Sequence, residues 1–287
     1  MTKRALVITE KPSSARRIAA ALDENGKPNR GRHGKVSFYI SYRDGMELVV
    51  VSAVGHLYTI VQKRGGWTYP VYDIKWVPSH RADNKASYTK PYLKAIIDLS
   101  NDIDEYVSAC DYDQEGSLIA FNIIKHGLGE AALGKSKRML FNTLTEGELV
   151  KSWENRQTLD YPVIAAGKVR HEADWLYGIN LSRALTITAK KRIDTKKTLS
   201  VGRVQGPTLR FVYDLESRIN SFVPIPYWKV SAETMIDELT YPLEYEKPRL
   251  EREGHAKTVA EECRGKDGVI TAIEGKEERT QPPAPFN

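Results

Sequence analysis

The chain has 287 residues, of which 41% are hydrophobic and 28% charged, as is typical of a globular protein with room for two or three domains. Its formal net charge of +6 indicates an anionic partner. The two cysteines, Cys110 and Cys263, form no CxxC pair, which argues against a structural zinc site and a disulfide framework. No signal peptide and no run of about 18 apolar residues is present, so the sequence predicts a cytoplasmic protein.

The first predicted strand ends beside an acid and a lysine. Residues 4–9 have the apolar pattern of a buried strand, and Pro12 opens a predicted helix that runs to about Leu22. Glu10 and Lys11 therefore follow the carboxyl end of a strand, which is where open α/β sheets gather their functional residues.

A second buried strand is predicted over residues 47–54, shortly before His56. A histidine in such a place is more often structural than a ligand contact. Residues 67–92 follow as an aromatic, polar connection. Its rings could stack nucleic-acid bases, although such rings more often cover an apolar flank.

Three acids at alternate positions follow the next predicted strand, which covers residues 106–110. Because positions i and i+2 of an extended segment point the same way, Asp111 and Asp113 are predicted to aim at one spot, with Glu115 close by. Carboxylates held together favour a cation or a proton, and oxygen ligands suit Mg²⁺ better than zinc. This stretch alone leaves two alternatives open: an acidic helix start and a phosphatase with an aspartyl nucleophile.

The alternation of strands and helices predicts an α/β fold. A fourth strand at residues 138–142 extends the alternation to about residue 150, which predicts a Rossmann-like, largely parallel sheet in a domain of residues 1–150. A helical segment over residues 151–220 and a partial β-rich domain over residues 221–287 are predicted to follow. Three strands are predicted in the β-rich domain, at 227–234, 239–245 and 268–274.

Basic side chains gather late in the helical segment. Between Arg183 and Arg218 there are nine Lys or Arg and three Asp or Glu. Backbone N–H groups at a helix start, together with Arg203, form a natural phosphate site. Upstream, Arg170 and Asp174 stand four apart on a helix, a spacing that by itself is typical of a surface ion pair worth ~0.3–0.5 kcal/mol.

Taken together, these motifs resemble those of the type IA DNA topoisomerases over essentially the whole chain. Glu10-Lys-Pro-Ser matches the family's opening acid, and Gly55-His56-Leu matches its Gly-His-Leu turn. Asp111-Tyr-Asp-Gln-Glu-Gly matches the acidic motif of the Toprim domain, which primases and type II topoisomerases share. Arg170-His-Glu-Ala-Asp and Ser200-Val-Gly-Arg-Val-Gln match family motifs that contact single-stranded DNA. The resemblance favours the topoisomerase III-like and archaeal branch.

The resemblance implies an ATP-independent isomerase that relaxes negatively supercoiled DNA. One strand would be cleaved in a Mg²⁺-dependent step through a 5′-phosphotyrosine link, the other passed through, and the break religated. The implied partner is a single-stranded region of DNA, with no membrane, and the protein is expected to be a monomer. The implied metal ligands are Glu10, Asp111 and Asp113, and the implied catalytic residues are these three with Lys11 and Glu115. The implied DNA-binding residues are His56, Arg170, His171, Asp174, Ser200, Val201, Gly202, Arg203, Val204 and Gln205.

The chain departs from the family pattern in several places. Residues that differ from the usual family residue are Gln114, Ser117 and Gly206. The first two reduce the charge around the implied metal. The family's nucleophilic tyrosine lies in a Tyr-Pro-Arg motif, whereas the Tyr-Pro pairs at Tyr69, Tyr161 and Tyr241 are not followed by Arg. The chain is therefore expected to be an amino-terminal fragment that lacks the nucleophile and is inactive alone.

The alternative function is that of a Toprim nuclease or a primase-like module that binds metal and nucleic acid but passes no strand. Such a protein is expected to lack the loop of residues 200–205, which this sequence contains.

Overall fold

The apolar runs near the start of the chain form a central sheet. The computed structural model describes residues 2–193, 197–275 and 277–283. Contacts divide the chain into two units, Met1–Val212 and Tyr213–Asn287. The strands of the first unit are β1 (Lys3–Thr9), β2 (Asn29–His33), β3 (Val36–Arg43), β4 (Met46–Ser52), β5 (Tyr58–Gln62), β6 (Ile74–Pro78), β7 (Glu105–Ala109) and β8 (Ser136–Arg138).

Helices cover both faces of the sheet. The helices that begin in the first unit are α1 (Pro12–Leu22), α2 (Ser79–Ala82), α3 (Lys90–Asp98), α4 (Gln114–Asn122), α5 (Glu130–Gly134), α6 (Glu146–Glu154), α7 (Tyr161–Arg192) and α8 (Gln205–Asn220), the last of which crosses into the second unit. Those that pack on the sheet are α1 and α6 on one face and α3, α4 and α5 on the other. A 3₁₀ helix (Asn84–Thr89) precedes α3, and a π-helix (Ile123–Leu128) continues α4.

The sheet contains six strands in the order β2-β3-β4-β1-β7-β8. Strands β4, β1, β7 and β8 are parallel, whereas β2 and β3 add an antiparallel edge next to β4. The predicted α/β class and largely parallel sheet are confirmed. The antiparallel edge was not predicted: β2 is short, polar and mostly exposed, and β3 mixes apolar and polar residues and is largely half-buried, so neither has the continuous apolar run of β1 and β4.

Both faces of β1 and β4 are buried, which explains their continuous apolar runs. Leu6 and Ile8 face a core that contains Ile96 from α3 and Ile119 from α4. Residues at the intervening positions, such as Val7, face a second core that contains α1 and α6 residues, including Trp153. The buried central strands β1 and β4 therefore provide a fixed support for the residues that follow their carboxyl ends.

The fourth strand is shorter than predicted. Strand β8 ends at Arg138, whereas the sequence pattern predicted a strand over residues 138–142. The Met139 N–H still donates to the Ser108 carbonyl of β7 at 2.9 Å, but the strand does not continue beyond it. The Met139 and Phe141 side chains are buried in the core with Trp153, so their apolar character reflects packing against the sheet.

Close packing of α4 against α7 fixes the long helix at the sheet edge. A Cβ built on Gly167 of α7 would lie 2.8 Å from the Gln114 carbonyl oxygen and 3.4 Å from Leu118 Cβ. A larger residue at this position would separate the two helices, so glycine permits their close approach. Among the helices that the structure describes, none combines the length and apolar character needed to cross a membrane.

The second unit contains a β-hairpin and one further helix. The hairpin pairs β9 (Ser231–Ile236) with β10 (Leu239–Glu244), and α9 spans Glu253–Cys263. The strand predicted at residues 268–274 is wrong, because no strand forms there. Val269 and Ile273 are exposed, and a segment without a partner cannot form a ladder. The division predicted at residue 150 stays a prediction.

Candidate functional site

Two acids and a lysine meet where neighbouring parallel strands end. The register of β1 and β7 pairs Thr9 with Ala109, so Glu10 and Asp111 leave the sheet at the same edge. The Lys11 ammonium nitrogen lies 2.8 Å from Asp111 Oδ2 and 3.3 Å from Glu10 Oε1. We call Glu10, Lys11, Asp111 and Asp113 the acidic edge.

Electrostatics at the acidic edge favour a cation. Burial and then the negative charge of Asp111 raise the pKa of Glu10, and Asp113 adds to the effect. Hydrogen bonds to Asp111 and Glu10 raise the pKa of Lys11, so its ammonium group stays charged. The acidic edge therefore already holds one positive charge between two carboxylates.

A turn, rather than an extended segment, brings Asp113 to the acidic edge. The Asp113 backbone N–H donates to the Asp111 carbonyl at 2.9 Å, which closes the chain on itself. Asp113 then caps α4, and its Oδ1 accepts a hydrogen bond from the Gly116 N–H at 2.7 Å. The argument from alternate positions of a strand was therefore wrong about the local backbone.

Gly116 is required by the same turn. A Cβ built on this residue would lie 2.3 Å from the Asp111 carbonyl oxygen and 2.9 Å from the Asp111 nitrogen. Both neighbours are backbone atoms and cannot rotate away. The glycine of the acidic motif therefore lets α4 begin directly against the turn that carries Asp111.

The buried Arg138 side chain holds the residues that lead into the acidic edge, and the sequence did not predict this role. The side chain is 2% exposed, and its Nη1 and Nη2 donate to Ser108 Oγ and the Asp111 carbonyl, each at 2.8 Å. The only sequence signal was a basic residue at the end of an apolar strand candidate. A buried guanidinium thus ties β8 to the end of β7.

Glu115, the third acid of the motif, is held by two histidines. His56 Nε2 and His171 Nε2 lie 2.8 and 2.7 Å from the same oxygen, Oε2. Arg170 approaches the other carboxylate oxygen at 3.7 Å. We call His56, Glu115 and His171 the His–Glu cluster.

The backbone places His56 for this contact. Gly55 adopts a positive φ of 80° and its N–H donates to the Glu10 carbonyl at 3.4 Å, so the turn after β4 lies beside the end of β1. The His56 carbonyl in turn accepts from Ser79 Oγ at 3.0 Å. The turn is therefore fixed on both sides of the histidine.

Protonation in the His–Glu cluster favours an ionised Glu115 carboxylate. Burial raises the pKa of Glu115, but the hydrogen bonds from His171 and His56 outweigh it and the net pKa is lowered. Burial lowers the pKa of His56. Since an ionised carboxylate only accepts hydrogen bonds, both rings carry their proton on Nε2.

The His–Glu cluster is also a possible cation site. Across residues 2–193, 197–275 and 277–283, it is the one group of three His, Cys, Asp or Glu residues whose ligand atoms all lie within 4.8 Å. Two imidazoles and a carboxylate suit a transition metal, whereas the all-oxygen acidic edge suits Mg²⁺. The two sites differ in the metals that they would select.

Helix α7 links the His–Glu cluster to the loop at residues 200–205. Arg170 approaches Glu115, and Asp174 on the same helix pairs with the Arg203 guanidinium, with Nη2 3.2 Å from Oδ2. Arg170 and Asp174 are thus used on different partners and are not the isolated surface pair that their spacing alone indicates. Ser182 Oγ accepts the Val201 N–H at 2.8 Å and anchors the loop to α7.

The remaining loop residues stay near the surface. Ser200 Oγ donates to Gln205 Oε1 at 3.4 Å, and Val204 is 72% exposed. Gly202 lies between them, beside Arg203. The predicted DNA-binding residues thus lie along or beside α7, from Arg170, next to Glu115, to Arg203.

Comparison with known proteins identifies the family. A model of the Toprim domain matches residues 5–144, and a DNA topoisomerase model matches residues 158–287. The chain belongs to the type IA DNA topoisomerases. A topoisomerase match after the Toprim domain favours this family over a Toprim nuclease or primase-like protein.

Curated relatives of this family match almost the whole chain. It is 42% identical to DNA topoisomerase 1 of Pyrococcus furiosus over 98% of the chain and 26% of that protein. It is also 42% identical to DNA topoisomerase 1 of Methanocaldococcus jannaschii, over 99% of the chain and 36% of that protein. Identity to DNA topoisomerase 3 of Shouchella clausii is 31%, over 98% of the chain and 37% of that protein. The chain therefore spans well under half the length of these relatives.

Proposed function

We propose that the chain supplies the metal-binding and strand-binding part of an enzyme that relaxes negatively supercoiled DNA. The enzyme would cut one strand through a 5′-phosphotyrosine link, pass the other strand and religate the break. The observation that carries the proposal is the meeting of Glu10, Lys11 and Asp111 at adjacent strand ends in a member of the topoisomerase family.

The residues at the acidic edge fit Mg²⁺. Glu10, Asp111 and Asp113 would hold it, because all the donors are oxygens and the pKa of Glu10 is raised first by burial and then by the negative charge of Asp111, which a cation would offset. Bound Mg²⁺ would offset charge on the scissile phosphate and the departing 3′-oxygen. Lys11, whose side chain is 55% exposed, would contact the same phosphate.

Glu115 is proposed as a proton acceptor. The hydrogen bonds from His56 and His171 keep its carboxylate ionised, so at neutral pH it has no proton to donate and can only accept one. That state suits religation, in which the attacking 3′-hydroxyl gives up its proton. Since both imidazoles carry a proton on Nε2, they are the nearest proton donors to the same carboxylate.

Single-stranded DNA is proposed to run along α7. Arg170 and Arg203 lie at the two ends of this path, and each exposes about half of its side chain. Asp174 holds Arg203 in one orientation, which lowers the entropy lost when the guanidinium binds a phosphate. The chain by itself is proposed to be inactive in cleavage, because none of its tyrosines lies in a Tyr-Pro-Arg sequence.

Arg203→Ala is expected to weaken the binding of a single-stranded oligonucleotide with little sequence preference. Loss of one phosphate contact should also reduce the slope of log affinity against log salt by roughly 0.7 to 1. The measurement is fluorescence anisotropy of a labelled oligonucleotide at several salt concentrations.

Arg32→Ala is the matched control, since Arg32 is exposed on the edge strand β2, three strands away from β1. It removes the same charge and should leave the slope unchanged. If Arg203→Ala changes neither the affinity nor the slope, Arg203 only braces Asp174 and the proposed strand path is wrong.

A further inference from the structure

A cavity of about 280 Å³ opens beside the His–Glu cluster, and no proposed role uses it. It lies between β6, the end of α4, the π-helix and the start of α7. The residues that line it are Trp76, Phe121, Asn122, Lys125, His126, Tyr161, Ile164, Ala165 and Lys168. Its volume is at the lower end of small-ligand pockets, roughly 300–1,000 Å³, so a ligand about the size of one base fits.

Asn122 provides an unused hydrogen-bonding group at this cavity. The residue is 3% exposed, and its side-chain amide nitrogen has no hydrogen-bond partner. Buried polar groups in native proteins are nearly always paired, so an unpaired amide next to a cavity indicates a ligand that accepts a hydrogen bond. A ring carbonyl or ring nitrogen of a base is such an acceptor.

Aromatic rings form the walls. Phe121 and Tyr161 meet edge to face with their centroids 6.4 Å apart, and Trp76 lines another part of the cavity. Tyr161 is 53% exposed although it begins a helix that packs on the core. An exposed ring at a cavity, here that of Tyr161, is the kind of group on which proteins stack unpaired bases.

Two lysines stand at the cavity. The π-helix, closed by an i+5 bond from the Gly129 N–H to the Ile124 carbonyl at 2.9 Å, carries Lys125. Lys168 comes from α7. Their acidic neighbours are more distant than ordinary hydrogen bonds, with Glu130 3.5 Å from Lys125 and Glu172 3.7 Å from Lys168. Both ammonium groups can therefore reorient towards a phosphate.

We propose that this cavity binds one nucleobase, with Asn122 contacting its edge, Tyr161 stacking on its face, and Lys125 and Lys168 contacting the adjoining phosphate. The inference deepens the proposed function, on which it rests, because it assigns a pocket for one base of the bound strand. Trp76 connects the pocket to the His–Glu cluster: its ring centroid lies 6.1 Å from that of His171.

The test uses the 287-residue chain and single-stranded oligonucleotides in which one position at a time is abasic. Binding is measured by anisotropy for the wild type, Tyr161→Ala and Lys168→Ala. Tyr88→Ala and Lys94→Ala are matched controls, because both residues are exposed and do not line the cavity. Circular dichroism verifies that each variant is folded.

One abasic position is expected to cost the wild type about tenfold in affinity, as the loss of one stacked base does. Tyr161→Ala should bind every oligonucleotide about as weakly as the wild type binds that abasic one, and the abasic penalty should disappear in this variant. Lys168→Ala should lower the salt slope by roughly 0.7. The controls should keep both the penalty and the slope.

A titration with deoxyadenosine monophosphate distinguishes a base within a strand from a free nucleotide. In one outcome, the mononucleotide competes with the oligonucleotide in the wild type but not in Tyr161→Ala, while no abasic position lowers the affinity. This result supports the pocket and assigns it to free nucleotides. If the protein binds the oligonucleotides, but no abasic position lowers the affinity and the mononucleotide does not bind, the proposed pocket is wrong and the proposed strand path still stands. If the wild type binds no oligonucleotide, the proposed function fails and the mononucleotide titration alone tests the pocket. Mononucleotide binding that Tyr161→Ala abolishes supports the pocket, and the absence of mononucleotide binding to the wild type overturns it.

Discussion

Gly116→Ala is expected to destabilise the first unit and to disrupt the acidic edge. The added methyl group would lie within 3 Å of two backbone atoms of Asp111, so either the turn or the start of α4 must move. Overpacking of this kind costs about 1–3 kcal/mol of unfolding free energy. The effect is measured as the change in urea midpoint, together with the affinity for Mg²⁺.

Gly147→Ala is the matched control for this substitution. Gly147 lies in α6, and a Cβ built there has nothing within 4 Å. Since alanine favours a helix over glycine by up to about 1 kcal/mol, this variant should be as stable as the wild type or more stable. A Gly116→Ala protein with unchanged midpoint and Mg²⁺ affinity would show that the turn adapts without cost.

Arg138→Met is expected to lower the free energy of unfolding by about 2–4 kcal/mol, because it leaves two buried acceptors unpaired. These are Ser108 Oγ and the Asp111 carbonyl. Because methionine keeps much of the volume of the arginine side chain, the lost stability measures the hydrogen bonds more than the packing. Denaturant unfolding followed by circular dichroism measures it, with Arg32→Met as an exposed control.

The same substitution should also weaken Mg²⁺ binding, since the Asp111 turn loses its support. Burial lowers the pKa of Arg138, so the buried charge has a cost that partly offsets the hydrogen bonds of this side chain. An Arg138→Met protein as stable as the wild type would contradict the prediction.

The sequence predicted the sheet and its acidic edge because both depend on local patterns. Continuous apolar runs indicated buried parallel strands, and Glu10 and Asp111 stood at their ends. The extended backbone assumed between Asp111 and Asp113 was wrong, because the chain turns at this point and the Asp113 side chain caps α4, although its charge still acts on Glu10. The strand predicted at residues 268–274 failed because a pattern of alternation does not supply a partner strand.

Contacts between distant residues could not be predicted from spacing. The His–Glu cluster joins residues 56, 115 and 171, which come from a turn, the start of one helix and the middle of another. The pairing of Asp174 with Arg203 and the burial of Arg138 likewise depend on how the elements pack. The resemblance to the family named most of these residues but not their partners.

The central claim is that Glu10 and Asp111 hold Mg²⁺, and calorimetric titration of the chain with Mg²⁺ tests it directly. Four variants are compared with the wild type: Asp111→Asn, Glu10→Gln, Lys11→Ala and His56→Ala. We expect Asp111→Asn and Glu10→Gln to weaken binding by at least about tenfold. Lys11→Ala should strengthen it, because the ammonium group competes with the ion for both carboxylates. His56→Ala should bind as the wild type does; loss of binding in His56→Ala, with Asp111→Asn unaffected, would place the ion in the His–Glu cluster and contradict the claim.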